Sequence, residues 1–186
     1  NALADCDMII EAVFENMEVK KELFANLDKI VKQGAVLATN TSALDINEIA
    51  TATSRPQDVI GMHFFSPANV MRLLEVVRGE KTSATMIATA MGIGKKIGKI
   101  AALSGVCPGF IGNRILRART LQAQAMLMEG AMPWDIDKVI YDFGLPMGPF
   151  AMSDLAGLDL GWFRERSTSS TIREVLCEAD RRGQKT

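Results

Sequence analysis

The sequence predicts an α/β half followed by an all-helical half. Up to Ser104, short apolar runs alternate with amphipathic stretches, which is typical of strands and helices packed in layers. Beyond that point helix formers dominate, and residues 110–129 contain hardly a helix breaker. Pro108 and Gly109 separate the two patterns. We therefore predict domains at residues 1–104 and 105–186.

The first half divides into five strands and three helices. Asn16 is the predicted N-cap of the first helix, whose apolar residues recur at helical spacing up to Val31, and Gly34 follows its end. Asp45 and Glu48 stand three apart, as in a capping box, and predict a brief second helix. Residues 82–96 form the predicted third helix. The predicted strands are residues 8–13, 35–39, 59–64, 73–77 and 100–103.

The second half predicts helices with one loop of uncertain order. Residues 110–129 form the predicted long helix, and Pro133 stands at a first-turn position before a helix over residues 134–143. A turn rich in glycine and proline precedes a third helix that starts within residues 150–160. The polar stretch at residues 164–171 is the predicted loop.

Composition limits the classes of function. The chain has 186 residues, 48% hydrophobic and 23% charged, and its 21 basic and 22 acidic residues give a net charge of −1. This balance argues against disorder and against an electrostatic grip on nucleic acid. No apolar run approaches the roughly 20 residues that a membrane span needs. Three scattered cysteines predict neither a disulfide framework nor a metal site, and they favour a reducing compartment.

His63 is the only histidine in the chain and lies in the predicted strand at residues 59–64. An imidazole titrates near neutral pH, so it can accept a proton from a reacting hydroxyl. A histidine hydrogen-bonded in the core is the alternative. Glu75 interrupts the next apolar strand, where a carboxylate would lose its hydration unless it found a partner. The two side chains could meet across neighbouring strands, although exposure of Glu75 at a sheet edge is the other possibility.

Two polar residues stand beside predicted element ends. Ser42 follows the strand at residues 35–39, at the carboxyl end where open α/β sheets bind ligands. Its hydroxyl can bind a substrate oxygen or help cap the next helix. Asn113 starts the long helix and can bind a substrate carbonyl or satisfy backbone groups. The glycines at positions 92, 94 and 98 have the wrong spacing and context for a phosphate-binding loop.

Several linked motifs resemble those of L-3-hydroxyacyl-CoA dehydrogenases. Gly-Met-His-Phe-Phe-Ser-Pro at residues 61–67, Leu-Glu-Val-Val at 74–77 and Pro-Gly-Phe-Ile-Gly-Asn-Arg at 108–114 occur in the order found in that family. The resemblance spans nearly the whole chain. Ser66 and the Asp-Leu-Ala-Gly-Leu-Asp run at residues 154–159 are most similar to the dehydrogenase part of multifunctional fatty-acid oxidation enzymes.

The resemblance implies a fold, a reaction and a set of site residues. The fold would be the C-terminal part of a Rossmann-like dinucleotide-binding domain followed by a helical domain of the 6-phosphogluconate-dehydrogenase-like C-terminal type, both truncated. The reaction would be oxidation of a (3S)-hydroxyacyl-CoA by NAD, with His63 as general base, Glu75 orienting it, and Ser42 and Asn113 binding the reacting oxygen region. The positions that match cofactor contacts in relatives are Ala12, Glu15, Lys20, Asn40 and Ser66.

The family's glycine-rich pyrophosphate loop has no counterpart in this sequence, because the matching region would precede Asn1. We therefore expect a fragment that binds NAD poorly or not at all by itself and is inactive. The resemblance leaves a homo-oligomer or an enoyl-CoA hydratase domain of the parent chain open as partners. It predicts a cytoplasmic protein in a bacterium and a peroxisomal or mitochondrial one in a eukaryote. The alternatives are a noncatalytic scaffold or binding relative, and a dehydrogenase of a non-CoA hydroxy acid.

Overall fold

The computed structural model describes residues 2–159 and 162–184. The chain divides into two compact units, which are called here the sheet unit (residues 1–115) and the helical unit (residues 116–186). The predicted order of an α/β half and a helical half is confirmed.

A five-stranded sheet forms the centre of the sheet unit, with the strands in the order β1-β2-β3-β4-β5. The first three strands are parallel, β4 runs antiparallel to β3, and β5 runs parallel to β4. The carboxyl ends of β1, β2 and β3 therefore lie at the same end of the sheet, and Leu73 starts β4 at that end. The strands are β1 at Met8–Glu11, β2 at Val36–Thr39, β3 at Val59–Phe64, β4 at Leu73–Arg78 and β5 at Ile100–Gly105.

All five predicted strands are present, and their ends differ from the prediction by up to two residues. β1 ends at Glu11 rather than at Val13, because the amide of Val13 donates to the Glu11 carboxylate at 3.0 Å instead of joining the ladder. β5 continues to Gly105, two residues beyond its predicted end.

Three helices cover the two faces of the sheet: α1 at Met17–Ile30, α2 at Ile46–Ala50 and α3 at Ala84–Lys96. Asn16 caps α1 as predicted, with its side chain accepting from the amide of Val19. The capping box predicted for α2 is wrong in one half. Asp45 accepts from the amide of Asn47, but Glu48 turns outward and pairs with Lys21 at 3.4 Å.

The core has two layers, one on each face of the sheet. Phe24, Leu37 and Ile49 belong to the layer under α1 and α2, which also receives Phe110 from the segment after β5. Met62 and Ala90 belong to the layer under α3. Because side chains alternate along a strand, His63 and Glu75 point to the face that α1 and α2 cover.

The helical unit contains more regular structure than was predicted. α4 at Gly112–Met128 begins in the sheet unit, and it is followed by α5 at Pro133–Asp142, α6 at Pro149–Ala156 and α7 at Ile172–Glu178. Pro133 and Pro149 occupy first-turn positions. Position 160, in the predicted span of the third helix, lies outside the described residues. The predicted loop at residues 164–171 contains a short 3-10 helix at Arg164–Arg166, and α7 was not predicted.

Membrane-spanning helices and disulfide bonds are the two remaining features that the sequence analysis considered. Among the residues that the structure describes, no helix is long and apolar enough to span a membrane. The three cysteines, Cys6, Cys107 and Cys177, are free thiols.

Candidate active site

His63 and Glu75 lie directly opposite each other in the antiparallel pair of β3 and β4. The Nδ1 atom of His63 lies 2.7 Å from Oε2 of Glu75. The imidazole side chain is 8% exposed and the carboxylate is fully buried. The predicted meeting of the two side chains is confirmed, and the proposed exposure of Glu75 at a sheet edge is wrong because β5 covers the outer side of β4.

Both oxygens of Glu75 accept hydrogen bonds. Oε1 accepts from the backbone amides of Ile111 and Gly112, at 2.9 Å and 2.7 Å, while Oε2 faces the imidazole. Two backbone amides therefore fix Oε1 in place. A carboxylate at Nδ1 selects the tautomer that carries its hydrogen there, which leaves the lone pair on Nε2. No hydrogen bond among the described residues occupies that Nε2.

Two aromatic rings lie close to the imidazole. The Phe65 ring lies 4.4 Å from the His63 ring, centre to centre, and the Phe110 ring lies 6.0 Å away. The ring of His63 is thus restrained by packing as well as by its hydrogen bond.

Glu15 and Ser42 are joined to each other rather than separated. Oε1 of Glu15 accepts from the Ser42 amide at 2.8 Å, from the Ser42 hydroxyl at 3.3 Å and from the Thr41 hydroxyl at 2.6 Å. Burial would raise the pKa of Glu15, but these hydrogen bonds and the nearby Lys20 ammonium together hold that pKa below its ordinary value. Ser42 does not cap α2, because Asp45 is the N-cap.

The ammonium group of Lys20 lies behind Glu15 in the interior. It is 1% exposed, lies 2.8 Å from Oε1 of Glu11 and approaches Oε2 of Glu15 at 3.5 Å. The Thr39 hydroxyl also donates to Glu11. Glu11 was not identified from the sequence, although it ends an apolar strand as an isolated charge, the same signal that singled out Glu75.

The other predicted site residues lie at or near the end of the sheet where β1, β2 and β3 have their carboxyl ends. Asn40 follows β2, and its side-chain oxygen accepts from the amide of Phe64 at 2.8 Å, which ties β2 to the end of β3. Ala12 and Ser66 follow β1 and β3 and are exposed. Asn113 is half-buried in the first turn of α4, one residue after the Gly112 amide that binds Glu75.

The structure thus places two groups of side chains at one end of the sheet: the His63–Glu75 pair and the polar residues around Glu15. Among the described residues, no group of three or more potential ligands could hold a metal ion. The exposed part of the Glu15 carboxylate, together with the loops after β1 and β2, offers acceptors for the hydroxyl groups of a nucleoside. The chemistry of these residues therefore fits a dinucleotide at the carboxyl ends of parallel strands.

Sequence comparisons identify two adjoining matches along the chain. The family model described as 3-hydroxyacyl-CoA dehydrogenase, NAD binding domain, matches residues 1–105. The model described as 3-hydroxyacyl-CoA dehydrogenase, C-terminal domain, matches residues 109–186.

Curated relatives are longer than this chain. The peroxisomal bifunctional enzyme of Cavia porcellus is 50% identical over 204 residues, which cover 99% of this chain and 28% of the relative. The glyoxysomal fatty acid beta-oxidation multifunctional protein MFP-a of Brassica napus is 42% identical, over 98% of this chain and 26% of the relative. The chain thus spans about a quarter of the length of these relatives.

Solved structures show the same fold. The 3-hydroxybutyryl-CoA dehydrogenase of Escherichia coli K12 matches with a TM-score of 0.90 and 37% identity, over 99% of this chain and 42% of that chain. The dehydrogenase part of multifunctional enzyme 1 from C. elegans matches with a TM-score of 0.70 and 36% identity, over 99% of this chain and 44% of that chain.

Proposed function

The chain belongs to the 3-hydroxyacyl-CoA dehydrogenase family, and from this we propose that the full-length protein oxidises (3S)-hydroxyacyl-CoA to 3-oxoacyl-CoA with NAD in fatty-acid β-oxidation. The observation that carries the proposal is the buried contact between His63 and Glu75, whose 2.7 Å distance leaves Nε2 of the imidazole as the proton acceptor. The domain limits at residues 1–104 and 105–186 are part of the same proposal.

His63 acts as the general base. Its Nε2 takes the proton of the 3-hydroxyl group, and the Glu75 carboxylate stabilises the imidazolium that forms. NAD, when bound, supplies the acceptor for the hydride that leaves carbon 3. Ser42 and Asn113 donate hydrogen bonds to the reacting oxygen region and hold the substrate in register.

The cofactor is held at the loops after the parallel strands. Glu15 accepts hydrogen bonds from hydroxyl groups of the cofactor, and Lys20 acts through Glu15, since its own ammonium is buried behind that carboxylate. The same end of the sheet carries Ala12, Asn40 and Ser66. The multifunctional relatives, which are named as peroxisomal and glyoxysomal in animals and plants, support a place in the same organelles if this protein comes from a eukaryote.

The test uses the full-length protein with NAD and (S)-3-hydroxybutyryl-CoA, and follows the formation of NADH. A positioned base typically contributes about 10²-fold to 10⁴-fold. We therefore expect His63→Gln to lower kcat by that factor and Glu75→Gln to lower it as well. Glu18→Gln is the matched control, because the side chain of Glu18 is 82% exposed on α1.

Three outcomes would contradict the proposal at different points. Absence of NADH formation by the wild-type protein would favour a noncatalytic scaffold, and faster oxidation of the free 3-hydroxy acid than of its CoA thioester would favour a different substrate class. A His63→Gln variant within about twofold of the wild-type kcat would show that another group removes the proton.

A further inference from the structure

Gly112 lies where the backbone of α4 meets the buried carboxylate of Glu75. Its amide donates to Oε1 of Glu75 at 2.7 Å, beside the 2.9 Å bond from Ile111. Amides at the start of a helix are unsatisfied by the helix itself and bind anions well. The helix thus supplies the donors that fix the second oxygen of Glu75.

Gly112 also faces the ring that packs on the base. A Cβ atom at position 112 would lie 2.8 Å from Cζ of Phe65, too close for a carbon contact, and 3.5 Å from Oε1 of Glu75. The Phe65 ring is in turn 4.4 Å from the imidazole of His63. A distance of 3.5 Å is an ordinary contact, so a side chain there would not block the carboxylate. The absence of a side chain at this position therefore leaves room for the Phe65 ring beside the imidazole.

We propose that Gly112 is a positioning residue for the His63–Glu75 pair. Its amide donates to Glu75, as the amide of another non-proline residue also could, and its lack of a side chain leaves room for Phe65 against His63. A side chain at this position would therefore disturb the pair through the Phe65 ring. The inference rests on the proposed function. It means that Gly112, although it has no side chain, helps to position both His63 and Glu75.

The variant Gly112→Ala tests the inference in the full-length protein. The added methyl group must displace the Phe65 ring, which lies beside the imidazole, and a misplacement of about 1 Å can cost about 100-fold in rate. We expect kcat to fall between about 10-fold and 100-fold, while KM for NAD and for the thioester stays within about twofold. Gly105→Ala is the matched control, since a Cβ there meets no atom within 4 Å, and it should keep the wild-type kcat.

Two further measurements separate positioning from misfolding. Phe65→Leu puts a smaller side chain beside position 112 and makes room for a methyl group. The double variant with Gly112→Ala should therefore have a kcat within about twofold of that of Phe65→Leu alone. The low-field imidazole N–H proton resonance, assigned by its loss in His63→Gln, should shift in Gly112→Ala and stay in place in Gly105→Ala.

The outcomes are distinguishable. A wild-type protein that forms no NADH would overturn the proposed function, while the imidazole resonance would still test the role of Gly112. Gly112→Ala with wild-type kcat and an unshifted resonance would overturn the inference. A kcat of the double variant about 10-fold below that of Phe65→Leu alone would also overturn it, because the added methyl group would then not act through its contact with Phe65.

Discussion

The interior ammonium of Lys20 shows how strongly a single buried charge depends on its partners. Lys20 is 1% exposed and lies 2.8 Å from a carboxylate oxygen of Glu11, which is itself nearly buried. Removing one member of a buried ion pair leaves the other charge without compensation. The Lys20–Glu11 ion pair is therefore required for the stability of this end of the sheet, where Glu15 lies.

Lys20→Met should lower the free energy of unfolding by about 3–5 kcal/mol, because Glu11 would stay buried without its cation. Urea denaturation of the wild type and the variant measures this. The neighbouring Lys21→Met is the control, since Lys21 pairs with the more exposed Glu18 and Glu48, and we expect it to lower the free energy of unfolding by less than about 1 kcal/mol. Equal losses for the two variants would contradict the buried-pair interpretation.

At the residue scale, the sequence could predict the side-chain pair but not its supports. His63 and Glu75 both interrupt apolar strands that are neighbours along the chain, so their meeting follows from the pattern. The two amides of Ile111 and Gly112 leave no such signal, because every residue carries a backbone amide and only the tertiary fold brings these two to Glu75. The burial of Lys20 was equally invisible, since lysine is normally exposed.

Among the elements, the start of α6 depends on a residue of the preceding helix. The Asp137 carboxylate accepts from the amides of Phe150 and Ala151, at 2.9 Å and 2.7 Å. Gly148 allows this approach, because a Cβ there would overlap the Asp137 side chain. The cap thus comes from α5 rather than from the residue that precedes α6.

Asp137→Ala should lower the free energy of unfolding by about 0.5–2 kcal/mol, the range measured for lost helix caps. Thermal or urea unfolding monitored by circular dichroism measures the change. Asp142→Ala, at the C-terminal end of α5, removes an exposed pair with Lys138 and should cost less than about 1 kcal/mol. A loss for Asp142→Ala that matched the loss for Asp137→Ala would show that the cap contributes nothing special.

Helix ends explain both the successes and the failures of element prediction. Asn16 caps α1 through its own side chain, so local sequence was enough to place that start. The start of α3, predicted at residue 82, lies at Ala84 because Ser83 is its N-cap. For α7, Thr171 and Glu174 form a capping box that the surrounding serines and threonines concealed. For α2, the residue spacing suggested a box, but Glu48 finds Lys21 across the surface instead.

On the scale of the whole chain, the alternation of apolar and amphipathic segments was sufficient to predict an α/β half and a helical half, because that pattern reflects burial. The reversal at β4 was not predictable, since strand direction depends on how the loop after β3 returns to the sheet. The interior salt bridge of Arg55 with Asp28, at 3.0 Å, joins residues far apart in sequence and had no local signal.

Acid should destabilise the fold through such carboxylates. Burial would raise the pKa of Asp28, but its hydrogen bonds from Ser54 and Arg55 and the charge of Arg55 hold that pKa below 3.8, as the pKa of Glu15 is held below 4.5. A carboxyl with a lowered folded-state pKa stabilises the fold fully above its unfolded-state value and loses that contribution as the pH falls through the folded one. The free energy of unfolding should thus fall as the pH drops below about 5.

Asp28→Asn separates this contribution from general acid effects. The variant should be less stable at pH 7, because the Arg55 guanidinium, with a side chain 2% exposed, loses the carboxylate at 3.0 Å. It should also lose less stability than the wild type between about pH 6 and pH 3, since the amide cannot be protonated there. Urea midpoints across that range measure both effects, with the exposed Asp5→Asn as control. Parallel pH curves for Asp28→Asn and the wild type would place the acid sensitivity in other carboxylates.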